Sequence, residues 1–143
     1  MRIFVLTAAL VVSGAALAEE QTFLFDVLRL PRFHMSWDRL VKDVQPTPDW
    51  LLHFSRNFDG SAGEMKAVTI AGKPYKLSFV CKPEDCVGHR FEVLFDPDGA
   101  RAFGALGGKG EPPAFFGGPD AAMQEALGKA LQPADSAAQL KSD

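Results

Sequence analysis

The sequence predicts an α+β domain, an antiparallel meander of about four to five strands packed with N- and C-terminal helices. Three observations carry that expectation. Apolar spacing is helical up to Phe54, turns to near alternation between Met65 and Leu106, and becomes helical again after Pro119. The loops between the alternating segments are too short for crossover connections, which makes neighbouring strands antiparallel. The 143 residues, 47% hydrophobic and 23% charged, are too few for a barrel or a two-domain enzyme and too apolar for a disordered chain.

The first helical stretch carries Phe23, Leu24, Val27 and Leu28, is divided at Pro31, and resumes with Met35, Trp37, Leu40, Val41 and Val44. Ser36 is a candidate N-cap for the second segment, Arg39 and Lys42 lie on its wet face, and Pro46-Thr47-Pro48 ends it. Asp49 to Phe54 adds a short helical turn. Met65, Val68 and Ile70 then form a β-prone run, Gly72-Lys73-Pro74 turns, and Tyr75 to Val80 alternates. Arg90 to Phe95 is a third strand with Phe91, Val93 and Phe95 on one face. Asp96-Pro97-Asp98-Gly99 is a turn, Pro setting φ and Gly admitting positive φ, and Ala100 to Leu106 returns as a fourth strand. The Gly-rich crossing from Gly104 to Gly118 can add a short edge strand around Phe115 and Phe116. Pro119 suits a first helical position, and Ala121 to Leu131 closes the domain as an amphipathic helix.

Residues 1–18 read as a signal peptide: Arg2, an apolar run from Ile3 to Val12, and the small-x-small site Ala16-Leu17-Ala18. The apolar run is short for a membrane span, and no Cys follows the cleavage point to carry a lipid anchor. The expectation is a soluble periplasmic chain beginning at Glu19, a single domain over residues 19–132, and a disordered tail over 133–143. With 18 acidic against 15 basic residues there is no electrostatic footprint for nucleic acid or an anionic membrane.

Export also governs the cysteines. In an oxidising compartment the two thiols, Cys81 and Cys86, are expected to form a disulfide. A ring so small constrains the unfolded chain by only about 2 kcal/mol, so its main effect is to fix the shape of Lys82-Pro83-Glu84-Asp85. A stapled loop stiffened by Pro83, with charged residues at its apex, suits a preorganised binding probe whose ordering cost is already met. The plain alternative is a stapled hairpin with no binding role.

The string Cys81-Lys82-Pro83-Glu84-Asp85-Cys86, with Trp37 and Val41-Lys42 upstream and Arg90 and Val93 just after it, resembles the signature region of the inhibitor of vertebrate lysozyme family. The resemblance covers roughly Phe23 to Leu131. It implies a sheet with packed helices, a protruding loop, and a bacterial periplasmic protein that blocks lysozyme by plugging its cleft. The target-binding loop would then be Lys82, Pro83, Glu84 and Asp85, with His89 an accessory contact. The implied partner is a lysozyme, most simply of the C type, or a lytic transglycosylase, and the implied state is a monomer or homodimer.

The resemblance also implies a His between Pro83 and Asp85, able to donate to both catalytic carboxyl groups of the target; this chain has Glu84. A carboxylate pushed between two carboxyls meets like-charge repulsion and desolvation. Three outcomes are physically open: Glu84 binds as the neutral acid, Lys82 supplies the cation while Glu84 turns outward, or the target is a transglycosylase with one catalytic acid. Asp85 is expected to accept loop N–H groups or to touch the target.

Catalysis fits poorly. Glu84, Asp85 and His89 have no Ser or Thr beside them, and the stretch from Gly104 to Gly118 lacks the Lys-Ser/Thr ending of a phosphate loop. His34, His53 and His89 are scattered rather than at ligand spacing, so neither metal nor cofactor is expected. A binding module of the envelope without a glycosidase target remains the third class.

Overall fold

The computed structural model describes residues 22–132. The expected signal peptide and the expected tail over 133–143 lie outside the described residues. Helices α1 (Leu24–Val27), α2 (Pro31–Asp43) and α3 (Asp49–Asn57) come first, followed by β1 (Ser61–Ala62), β2 (Lys66–Ile70), β3 (Lys73–Lys82), β4 (Asp85–Phe95), β5 (Ala102–Gly107) and β6 (Ala114–Phe116), and then α4 (Ala121–Leu131). The architecture is α+β. The sheet has six strands rather than four or five, because two-residue β1 joins β2 along the outer edge of β3. All pairings are antiparallel, in the order β1-β3-β4-β5-β6.

Two helix starts and one hairpin turn differ from the sequence reading. Pro31 opens α2 instead of merely dividing the chain, because its missing N–H is one that a first turn leaves unpaired anyway. Ser36 therefore lies inside α2, buried, its Oγ donating to the Phe33 carbonyl at 3.1 Å rather than capping. At the other end Asp120 caps α4, its Oδ1 accepting from the Met123 N–H at 2.9 Å, so Pro119 stands outside the helix. The first hairpin turns at Ala71-Gly72, leaving Lys73 and Pro74 in β3 opposite Ile70 and Thr69.

Helices cover both faces of the sheet. Under α1, α2 and α3 lie Phe91, Val93, Phe95 and Val80, together with Trp37 and Phe54. Trp37 is fully buried and meets Phe54 and Phe91 edge-on at centroid distances of 5.7 and 5.8 Å, while its indole N–H donates to Ser55 Oγ at 3.2 Å. The opposite face, carrying Tyr75, Leu94, Phe103 and Ala105, packs against Met123, Leu127 and Leu131 of α4. Each of the Val, Leu, Phe and Met side chains among them contributes about 1.5–3 kcal/mol by leaving water. The result is a rigid sheet whose longest hairpin, β3–β4, extends past its helical cover.

Candidate functional site: the disulfide-closed hairpin tip

Regular pairing of β3 with β4 runs from Lys76↔Phe95 to Cys81↔Arg90, and then slips: the next pair is Lys82↔Asp85. Four residues of β4, Cys86 to His89, are thereby left without partners on β3. The turn chemistry accounts for the slip. Pro83 cannot take positive φ, which excludes the turns whose twist suits a two-residue hairpin. Glu84 instead has φ 68°, the positive value that a type II turn needs at its third residue. Turns of that hand splay the flanking strands, and the extra residues absorb the mismatch.

Covalent and polar restraints then fix the tip. Cys81 and Cys86 are disulfide-bonded with their Cα atoms 4.8 Å apart, as the sequence predicted, and Cys81 is buried. The Asp85 carboxylate folds back on its own hairpin, accepting from the Gly88 N–H at 3.1 Å and pairing with His89 Nδ1 at 2.7 Å. The His89 hydrogen bond above all holds Asp85 below its ordinary 3.8 against the opposing desolvation, with the Gly88 N–H and the His89 and Lys82 charges adding to it. Asp85 and His89, single candidates in the sequence, are thus one unit. Lys82, Pro83 and Glu84 stand exposed at the apex, and neither Lys82 nor Glu84 has a side-chain hydrogen bond or ion pair to a described residue. Val87, 52% exposed, adds an apolar surface beside them.

The root of the tip contains residues to which the sequence reading assigned no role. Arg90 Nε donates to Glu92 Oε1 at 2.6 Å, and the guanidinium lies 3.6 Å from the Phe79 ring centroid. The Glu92 side chain is 2% exposed, and burial raises its pKa despite the opposing Arg90 charge. The available signal was the Arg90-x-Glu92 spacing, which puts opposite charges on one face of a strand. Beside the tip, a groove of about 660 Å³ runs between α3 and the end of β3, lined by Trp50, His53, Arg56, Asp59, Lys82 and Pro83 among others. His53 shares this groove with Lys82 and Pro83 of the tip, whereas His34 pairs with Asp38 of its own helix at 3.2 Å.

Chemically, the tip offers a cation, a carboxylate and a rigid backbone, with both thiols oxidised. Such a set can recognise polar groups in a cleft but holds no nucleophile with an adjacent base.

Comparison with known proteins agrees with this geometry. A curated inhibitor of vertebrate lysozyme from Pseudomonas aeruginosa is 29% identical over 143 aligned residues, covering 87% of this chain and 91% of the relative. An uncharacterized protein of Yersinia pestis is 28% identical over 79 residues, covering 55% of this chain and 49% of that protein. Residues 35–138, which include the whole hairpin tip, match the family described as inhibitor of vertebrate lysozyme (Ivy), and the chain belongs to that family.

Proposed function

We propose that this protein is a periplasmic inhibitor of lysozyme-type muramidases that lodges the Cys81–Cys86 hairpin tip in the target's active-site cleft. The observation that carries the reading is the combination at Lys82–Asp85: side chains exposed at an apex whose backbone is closed by a disulfide and braced by the Asp85–His89 pair. A segment already ordered loses little entropy on binding, so contacts at its apex count in full. Muramidases cleave between an acid and a second carboxyl group a few ångströms apart, and a group wedged there displaces the substrate. Lys82 supplies the complementary charge, and Asp85 acts chiefly through the shape of the tip because its oxygens are engaged within the hairpin. Residues 19–132 form the inhibitory domain and residues 1–18 its export signal, which also places the disulfide in an oxidising compartment.

Glu84 favours a second reading. In a cleft with one catalytic acid it meets less like-charge repulsion than in one with two carboxyls, so a lytic transglycosylase is the alternative target. The test is to titrate the purified mature chain into a C-type lysozyme and into a lytic transglycosylase acting on cell-wall substrate, before and after reduction of Cys81–Cys86. Inhibition of lysozyme that weakens about tenfold or more on reduction is expected, since an unstapled tip must be ordered on binding. Both activities unchanged by the intact protein, or inhibition indifferent to reduction, would refute the reading.

A further inference from the structure

The tip joins the sheet at a point where regular pairing has stopped. Beyond Cys81↔Arg90 the disulfide closes a ring but does not by itself set the angle of that ring to the sheet. Three contacts oppose a swinging motion. The Lys109 N–H donates to the Val87 carbonyl at 2.9 Å, Gly108 packs so tightly on the Gly88 carbonyl that a Cβ there would overlap it, and Arg90 Nη1 approaches Cys86 Sγ at 3.9 Å. Of these, only the last comes from a side chain with its own buried anchor.

That anchor is otherwise hard to explain. Among the described residues Glu92 is the only charged side chain in the buried class, and it lies between Phe79 on β3 and Ala105 on β5, where an apolar residue would pack. Replacing a buried ion pair by apolar side chains is often neutral or stabilising, so stability gives no reason for a charge here. Orientation does. A guanidinium is planar; pinned by Glu92 at its Nε and laid on the Phe79 ring, it has no freedom to turn its Nη1 away from Cys86.

We propose that Arg90 is a positioning residue of the inhibitory tip: held by Glu92 and Phe79, it fixes the angle at which the Cys86 arm, and with it Lys82–Asp85, projects from the sheet. The proposal rests on the reading of that tip as the target-binding element. Its own content, however, is a property of the free protein.

The experiment compares the parent with the double variant Arg90→Met/Glu92→Leu, which removes the pair without stranding a buried charge. Backbone order parameters of the free proteins are measured first. In the parent the amides of Glu84–Gly88 should be near the rigid value of about 0.85, and in the double variant they should fall below about 0.6, with Phe91–Phe95 unchanged. The thermal midpoint should hold within a few degrees, while inhibition of lysozyme weakens about tenfold or more. Glu92→Gln keeps an acceptor for Arg90 Nε and should rescue both tip order and inhibition. If the double variant lacks a cooperative transition, Arg90→Lys, which keeps the charge but loses the planar stack, gives the same readouts. A tip equally ordered in variant and parent overturns the proposal, as does a loosened tip that inhibits as well as the parent. Failure of the parent to inhibit any muramidase would instead overturn the proposed function, and that arm is read separately.

Discussion

Between the aromatic cluster under α2 and α3 and the tip at Lys82–Asp85, the source of order changes from buried area to local restraint. Trp37, Phe54, Phe91 and Phe95 are each at most 1% exposed and fix one another by shape. At the tip every side chain from Lys82 to Asp85 is exposed, and conformation is set by a disulfide, a proline, a positive φ and one carboxylate–imidazole pair. If the tip is the target-binding element proposed above, the difference teaches that fold and recognition are separable in this molecule. A binding surface that must desolvate against another protein has no core of its own, so its stiffness has to come from covalent and polar links.

The largest effect should come from the core. Trp37→Ala empties a site bounded by Phe54 and Phe91 and should cost about 3–5 kcal/mol, read as a lowered urea midpoint, with inhibition lost only through unfolding. A variant that stays folded at low temperature yet fails to inhibit would break the separation of the two regions.

A smaller effect is expected at their junction. Burial raises Glu92 above its ordinary 4.5, so the folded chain binds that proton more tightly than the unfolded chain does. This group's contribution is therefore most favourable below the unfolded pKa, and declines as pH rises through the raised folded value. Glu92→Gln removes that slope, and its midpoint should exceed the parent's by about 2–4 °C at neutral pH and by progressively less on acidification. Thermal melts at stepped pH, taken as variant minus parent, check this and cancel the opposite trend from Asp85, whose lowered pKa adds stability that is lost only as pH falls through it. An unchanging difference would mean that Glu92 is not held in its buried setting.

The smallest stability change belongs to the apex. Glu84→Gly relieves an L-residue held at φ 68°, and should stabilise by at most about 1 kcal/mol in urea melts, since added backbone freedom in the unfolded chain offsets part of the relief. Inhibition of lysozyme should strengthen several-fold as a like charge leaves the cleft, an effect of roughly 1 kcal/mol. Weaker inhibition would show that Glu84 makes a favourable contact and would sharpen the choice between the two target classes.

Much of this organisation is legible in linear order. The Trp37-Leu40-Val41-Val44 spacing and the Phe91-Val93-Phe95 alternation name the two halves of the helix-backed core, and Cys81 and Cys86 in an exported chain name the staple. The Ser36 and Pro119 assignments misplace helix starts, the first by six residues and the second by two, because capping residues and helix-interior residues share the same side-chain types and only the backbone path tells them apart. The pairing of Asp85 with His89 was within reach of the sequence as two neighbours, but its geometry depends on the register slip that Pro83 and Glu84 impose.

Periodicity, turn formers and cysteine spacing are local quantities, and they suffice to specify helices, strands and a closed ring between Lys82 and Asp85. They do not specify what covers each face. Arg90 and Glu92 alternate with Phe91 and Val93, and in one dimension they read as the wet side of a half-buried strand. Docking of α4 some thirty residues downstream helps to cover that side, turning a surface-like charge pattern into a largely buried ion pair beside the disulfide. Burial is a property of contacts between distant segments, and for that reason the root of the tip emerged only when the chain was folded.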